Sequence, residues 1–201
     1  YPASTFGHNA INVNGEFFNF SHLINENESM DEAEYMYRPA LGEFAPSPTT
    51  GKFEILEDGT VYYDKFGRNF MRGIHVIRLE GIDADRLSGI YHNELKTIHA
   101  TTPHPDYPEK YKDFSFYKRS CTTLIRDGLR QYGFKKITGF LPRDFFISAA
   151  VSLMKAQKEM DLTVQLYNRP QLKVPEAPFS KNSFPMNPMN WIRLKKLQGM
   201  V

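Results

Sequence analysis

The sequence contains a single cysteine, Cys121, among its 201 residues, so no disulfide can form within the chain. Its net charge at pH 7 is only +2, too small to indicate a nucleic-acid partner. It has no apolar run long enough to cross a bilayer, so we expect no transmembrane segment. Hydrophobic residues make up 41% of the chain and aromatic residues 14%, enough to build a folded core.

The length suits one domain, or one domain with an appendage. We predict a catalytic domain over residues 1–162, followed by a C-terminal strand and an irregular tail over residues 163–201. The tail is predicted to be irregular because proline, asparagine, lysine and methionine dominate after Asn168. We expect this second part to pack on the domain or to extend from it. Because one cysteine cannot form an internal disulfide, the composition does not indicate whether the protein works in an oxidising or a reducing compartment.

Strand signals cluster early in the chain and helix signals cluster late. The pair Asn14-Gly15 lies between alternating apolar residues and predicts a type I′ hairpin turn. Further strands are expected at Gly73–Leu79 and Leu162–Leu166, a loop or short helix at Ile24–Met36, and a loop at Ala100–Asp113. This order predicts an α+β fold with a mostly antiparallel sheet packed against helices.

Cys121 falls in the first turn of a predicted helix that ends near Gly133. The unpaired N–H groups and the positive end of the helix dipole stabilise a thiolate there. A helix-start cysteine with no disulfide partner indicates a nucleophile, and His8, on a predicted strand, is a suitable base for it. The sequence therefore favours a cysteine hydrolase or acyltransferase.

The register of the hairpin proposes a third member for this site. A two-residue turn at Asn14-Gly15 pairs Ala10 with Asn19 and places His8 on the same face as Asn19. Asn19 can then accept the second ring N–H of the histidine. Ser21, directly opposite His8, and His22, which points to the other face unless a bulge intervenes, are the alternatives.

Catalysis at a carbonyl also needs donors for the developing oxyanion. The backbone N–H of Cys121 is the first expected donor, and the Tyr117 hydroxyl and Ser120 are the expected oxyanion or substrate contacts. No cofactor or metal is expected, because the histidines near the Pro-rich loop, His99 and His104, match no metal-ligand spacing.

These residues also carry a resemblance. The segment from Gly7 to Asn19, followed about a hundred residues later by Phe116–Leu124, resembles the circularly permuted NlpC-type branch of the papain-like cysteine hydrolases. Relatives of that branch include proteins similar to lecithin retinol acyltransferase, which have a second histidine where Asn19 stands. Residues 5–23 and 115–130 carry the similarity. Many members have asparagine before the cysteine, where this chain has Ser120.

The resemblance implies Cys121 as nucleophile, His8 as base and Asn19 as the polar third residue on a papain-like fold. It also implies an amidase or endopeptidase acting on peptidoglycan stem peptides, in the manner of secreted antibacterial effectors. An immunity protein and a secretion-system carrier would then be its partners, and a secreted or periplasm-delivered location is favoured over a cytoplasmic one.

Two other functions stay open from the sequence. The same Cys–His pair could act on lipid or thioester acyl groups, as the acyltransferase relatives do. The chain could also be a non-catalytic interaction module, in which Cys121 is an inert thiol on the apolar side of its helix.

Overall fold

The computed structural model describes residues 7–20, 25–29, 74–104, 107–111, 115, 117–169 and 185–198. Within these ranges the chain is a mixed α+β protein, as the sequence predicts. In chain order the elements are β1 (Ile11–Val13), β2 (Glu16–Phe20), β3 (Asn25–Ser29), β4 (Ile74–Glu80), α1 (Ala84–His99), β5 (Pro103–His104), β6 (Tyr107–Tyr111), α2 (Cys121–Tyr132), α3 (Pro142–Met160), β7 (Thr163–Arg169) and α4 (Pro188–Gln198).

Packing divides the chain into two compact units. The first comprises Tyr1–Ser29, Val76–Tyr167 and Ser183–Val201, and it contains the four helices of the described ranges. The second comprises Met30–His75 and Asn168–Asn182, of which residues 74–75 and 168–169 are described. The predicted domain boundary at residue 162 stays a prediction. The pair Asp58-Gly59, between apolar stretches at residues 53–56 and 61–63, also predicts a second hairpin, but these residues lie outside the described ranges.

The predicted N-terminal hairpin is confirmed. Asn14 and Gly15 have φ angles of 53° and 89°, the left-handed values that a type I′ turn requires at both central positions. The Gly15 N–H also donates to Asn12 Oδ1 at 2.9 Å. The strands pair antiparallel, with Val13 opposite Glu16 and Ile11 opposite Phe18. This is the register from which the sequence places His8 near Asn19.

The second strand of the hairpin is buried on both faces. Phe18 and Phe20 are fully buried against Tyr91 of α1, with ring centroids 5.4 and 6.1 Å apart. Phe17 and Asn19, on the opposite face, are also buried. Because β2 lies between β1 and β3, its main chain is hydrogen-bonded on both edges, and it gives the site a rigid base.

The prediction for the residues after the hairpin is wrong at β3. The acidic, polar stretch predicted to be a loop or short helix contains a strand, Asn25–Ser29, that pairs antiparallel with β2. Its sequence, Asn-Glu-Asn-Glu-Ser, has no apolar alternation. The strand forms because β2 presents an open edge of N–H and C=O groups to it.

Helix α1 carries the opposite wall of the core. The Asp83 side chain accepts the Arg86 N–H at 3.0 Å and caps the helix start, so of the two aspartates that the sequence offers as caps, Asp83 and Asp85, the first takes this role. Its buried residues recur at helical spacing and join the core formed by the hairpin and α2. They are Leu87, Tyr91, Leu95 and Ile98.

Helices α1 and α2 meet at a glycine. The Tyr91 hydroxyl donates to the Ile125 carbonyl at 2.9 Å, and its ring lies against Gly128. A Cβ atom at position 128 would fall 2.3 Å from the Tyr91 ring. The missing side chain at Gly128 therefore allows the close packing that holds α2, and Cys121 at its start, against the core.

We expect Gly128→Ala to lower the free energy of unfolding by about 1–3 kcal/mol, because the added methyl group must displace a fully buried ring. Gly89→Ala in α1 is the matched control, since its Cβ would meet nothing within 4 Å. That control should raise stability by roughly 0.5–1 kcal/mol through helix propensity. Urea unfolding of both variants checks the pair, and equal effects would contradict the role of Gly128.

The C-terminal part of the first unit contains a helix that the sequence did not predict. Pro188–Gln198 forms α4, so the predicted irregular tail is wrong there. The buried carboxylate of Asp144 in α3 accepts the backbone N–H groups of Met186 and Asn187 at 2.9 and 3.1 Å and the Asn190 side-chain amide at 2.7 Å. These charge-assisted bonds fix the start of α4 on α3.

The remaining strands form two small sheets, in which β4 pairs with β7 and β5 with β6. The strands predicted at Gly73–Leu79 and Leu162–Leu166 correspond to β4 and β7. The loop predicted over Ala100–Asp113 contains β5 and β6, so that prediction is wrong for those residues. Each strand carries one proline, Pro103 or Pro108, and prolines occur at edge strands such as these.

Candidate functional site

The start of α2 is a capping box formed by Ser120 and Thr123, and the thiol of Cys121 lies beside it. Ser120 is the N-cap residue, and its hydroxyl accepts the Thr123 N–H while the Thr123 hydroxyl accepts the Ser120 N–H at 2.8 Å. Cys121 is the first helical residue, as the sequence predicts. The N–H groups of Cys121 and Thr122 have no i−4 carbonyl within the helix, so the first turn offers donors close to the sulfur.

His8 reaches this thiol from the segment before β1. The sequence prediction placed it within a strand, but β1 begins at Ile11, and Gly7 has a φ of 84° that departs from extended backbone. The partly buried imidazole of His8 forms a hydrogen bond with the Cys121 side chain. The structure therefore brings together two residues that lie more than a hundred positions apart in the sequence.

Asn19 holds the other side of the imidazole. The distance from His8 Nε2 to Asn19 Oδ1 is 2.7 Å. An amide oxygen only accepts, so Nε2 carries the proton and donates it. This tautomer leaves Nδ1 as the ring nitrogen that can take the proton of the thiol. His8 thus contacts both Asn19 and Cys121, and the catalytic roles of the three residues stay predictions.

The burial of Asn19 is informative in itself. It is 0% exposed on a strand whose other buried residues are phenylalanines, and no residue in the described part of the chain is a hydrogen-bond partner for its Nδ2 atom. A buried amide with an unsatisfied donor costs free energy. Asn19 is therefore a poor choice for packing alone, and its one strong bond is the bond to His8.

The electrostatics at Cys121 favour the thiolate. Burial raises the pKa of the thiol, but the charge of His8 and hydrogen bonds from His8, from the Asn9 backbone and from Thr122 lower it. The result is a pKa of about 7, below the ordinary value of 9.0. About half of the sulfur is then ionised at neutral pH, as a nucleophile requires.

Two site residues were missed by the sequence analysis. The Asn9 side chain donates from Nδ2 to Thr122 Oγ1 at 2.9 Å, and Thr122 Oγ1 lies 3.8 Å from Cys121 Sγ. Each residue is adjacent in the chain to a predicted site residue. No motif or periodicity marks them, and the folded hairpin is needed to reveal their contact.

The other predicted site residues have different surroundings. Tyr117 is 68% exposed and packs its ring on Phe140 at a centroid distance of 5.4 Å. Ser120 is 5% exposed and caps the helix. Their predicted oxyanion or substrate roles stay predictions. The alternative third residues, Ser21 and His22, lie outside the described residues.

Searches for a metal site and for a membrane span both give negative results over the described part of the chain. There, no three or more His, Cys, Asp or Glu side chains lie close enough together to hold a metal ion. Over the same residues, no helix combines the length and the apolar character needed to cross a membrane.

Comparison with protein-family models, with curated proteins and with solved structures finds no match for this chain.

Proposed function

We propose that this protein is a cysteine hydrolase that cleaves amide bonds, with Cys121 as nucleophile, His8 as general acid–base and Asn19 as the residue that orients His8. The observation that carries the proposal is the chain of contacts from Cys121 Sγ through the His8 imidazole to Asn19 Oδ1. It supplies a nucleophile, a base and an orienting group, the three parts of this chemistry.

The mechanism follows from these positions. His8 Nδ1 takes the thiol proton, and the Cys121 thiolate attacks the carbonyl carbon while first-turn N–H groups of α2 stabilise the oxyanion. His8 then gives its proton to the leaving amine, and the C–N bond breaks to leave a thioester on Cys121. A water molecule, deprotonated by His8, attacks the thioester and releases the carboxylic acid and the thiol.

The fold order supports a more specific assignment within the same proposal. The base precedes the first strand, the orienting residue is on the second strand, and the nucleophile opens a later helix. This is the order of the permuted NlpC-type papain-like hydrolases that the sequence resembles. On that basis we propose a permuted papain-like fold and peptidoglycan stem peptides as the substrate class, in a secreted or periplasm-delivered effector.

Digestion of purified peptidoglycan and of synthetic stem peptides tests the proposal. We expect the wild-type protein to release new amino groups, and mass spectrometry of the fragments would identify the bond that is cleaved. A peptidyl thioester trapped on Cys121 would support amide cleavage. If no peptide substrate yields either fragments or an adduct on Cys121, the proposal is overturned.

The exposed pair Tyr117 and Phe140 favours one second candidate, the hydrolysis or transfer of lipid acyl groups. Tyr117 lies four residues before Cys121, and Phe140 is 41% exposed beside it, so an apolar surface adjoins the start of α2. The site residues would be unchanged. A fatty acyl adduct on Cys121 after incubation with phospholipid or an acyl thioester would favour this candidate over amide cleavage.

Asn19 provides a matched pair of variants for this mechanism. Asn19→Ala removes the acceptor for His8 Nε2, and we expect kcat/KM to fall about 10- to 100-fold, less than the loss of a complete general acid–base group. Asn19→Asp keeps an acceptor and gives up only the Nδ2 donor, for which the described residues supply no partner. We expect it to retain most activity and to extend it to higher pH, because a carboxylate stabilises the imidazolium. Equal losses in both variants would contradict the orienting role.

A further inference from the structure

The hydroxyl group of Thr122 is buried without serving the helix cap. Thr122 and Thr123 are both 0% exposed at the start of α2. The Thr123 hydroxyl belongs to the capping box with Ser120. The Thr122 hydroxyl instead lies between Asn9 and the sulfur of Cys121. A buried hydroxyl needs partners, and these two are the partners that the structure supplies.

The direction of the first bond in this contact is fixed by chemistry, since Asn9 Nδ2 can only donate and Thr122 Oγ1 therefore accepts at 2.9 Å. Between Thr122 Oγ1 and Cys121 Sγ, 3.8 Å apart, a neutral thiol could donate or accept. A thiolate has no proton to give, so once Cys121 is ionised the Thr122 hydroxyl is the donor. Sulfur is a large, weak acceptor as a thiol, but a thiolate is charged and accepts more strongly. The Thr122 hydroxyl therefore favours the ionised form of Cys121.

Asn9 connects the two halves of the site. It directly follows His8 in the chain, its backbone N–H donates to Cys121, and its side chain donates to Thr122. One residue of the base segment thus contacts two successive residues of the nucleophile helix. Such paired contacts fix the distance and the direction between the His8 segment and α2.

We propose that Asn9 and Thr122 form a hydrogen-bond relay, from Asn9 Nδ2 to Thr122 Oγ1 and from the Thr122 hydroxyl to Cys121 Sγ, that positions Cys121 against His8 and stabilises the thiolate. Both are positioning residues, since they act through Cys121. The inference rests on the proposed function in one respect, that the thiolate of Cys121 is the reacting species.

The matched variants are Thr122→Val and Thr122→Ser in the full chain. Valine keeps the shape of threonine and removes the hydroxyl, whereas serine keeps the hydroxyl and removes a methyl group. The readout is the rate of iodoacetamide alkylation as a function of pH, which reports on the single cysteine and requires no substrate. We expect valine to raise the midpoint by about 0.5–1 pH unit, the effect of one hydrogen bond to the charged form. Serine should leave the midpoint at the wild-type value.

Asn9→Ala tests the relay from its other end. It removes the side-chain donor but keeps the backbone N–H that contacts Cys121, so we expect a smaller upward shift of the same sign. It also serves if Thr122→Val fails to fold, as circular dichroism would show. An unchanged midpoint in Thr122→Val, or equal shifts in the valine and serine variants, would overturn the relay. So would an unchanged midpoint in Asn9→Ala.

The outcomes separate the relay from the proposed function. If the wild-type protein cleaves no amide while the midpoints shift as expected, the proposed function fails and the relay stands. If the wild-type midpoint lies near the ordinary thiol value, the thiolate is not stabilised and the relay fails with it. If amides are cleaved and the midpoints do not move, the relay alone fails.

Discussion

Cys121→Ser is expected to lower amide hydrolysis by at least about 10³-fold. Serine has nearly the same shape as cysteine, so α2 and its cap should form as before. Its hydroxyl has a far higher pKa than the thiol, and the contacts that bring the Cys121 pKa to about 7 cannot ionise it. His8 would have to remove the proton during the attack itself, in a site arranged around an ionised sulfur.

Initial rates of amine release from a synthetic stem peptide measure this effect, with Cys121→Ala as the second inactive variant. Gly89→Ala is the matched control, since it adds a methyl group in α1 where nothing lies within 4 Å. It should keep wild-type activity. Residual hydrolysis above about a tenth of the wild-type rate in Cys121→Ala, which has no nucleophile at this position, would mean that another group attacks the carbonyl, and the assigned nucleophile would be wrong.

The parts of the site that the sequence predicts are those set by local rules. Asn14-Gly15 specifies a turn of known length, and that length fixes the register, because side chains alternate along strands. The register places Asn19 near His8, and the structure joins them at 2.7 Å. The sequence also predicts a helix start at Cys121, and the structure closes that start with Ser120, a residue type preferred at the N-cap.

The parts that the sequence does not predict depend on tertiary contacts. Strand β3 has no apolar alternation and forms because the edge of β2 is available to it. Helix α4 follows a stretch rich in proline and asparagine, and Asp144, distant in sequence, satisfies the N–H groups at its start. In both cases the stabilising partner lies elsewhere in the chain, so no local window contains the signal.

The contact between Asn9 and Thr122 belongs to this second kind. Each residue is an ordinary polar side chain in its own segment, and their separation in the sequence carries no information about their distance. Only when the hairpin packs on α2 do they meet at 2.9 Å. The sequence could therefore predict the contact of His8 with Asn19, which follows from a hairpin register, but not the contact of Asn9 with Thr122, which follows from packing.

His8→Ala is expected to raise the midpoint of Cys121 alkylation from about 7 to 9 or above. Burial raises the pKa of this thiol, and His8 supplies the charge and one of the hydrogen bonds that overcome it. Without the imidazole, the effect of burial remains. The thiolate fraction at pH 7 would fall from about one half to about one hundredth, a change of about 50-fold.

The rate at pH 7 should fall less than the thiolate fraction. A more basic thiolate is intrinsically more reactive, and a rise of two pKa units restores nearly tenfold in rate, so we expect a net fall of roughly 5- to 10-fold. The midpoint is therefore the sharper measurement. It is obtained from iodoacetamide rates between about pH 5 and about pH 10, and the chain has no other cysteine to obscure it.

His8→Gln separates the two contributions of the imidazole, because glutamine can donate a hydrogen bond to the sulfur but carries no charge. Its midpoint should lie between those of the wild type and His8→Ala. The lowered pKa of Cys121 should also make the stability of the wild-type protein depend on pH. A lowered thiol pKa stabilises the folded wild-type protein above the unfolded value of 9.0, and this contribution is lost as the pH falls through about 7. A wild-type midpoint retained in His8→Ala would show that His8 does not hold the thiolate, and the assignment of His8 as the base would then fail.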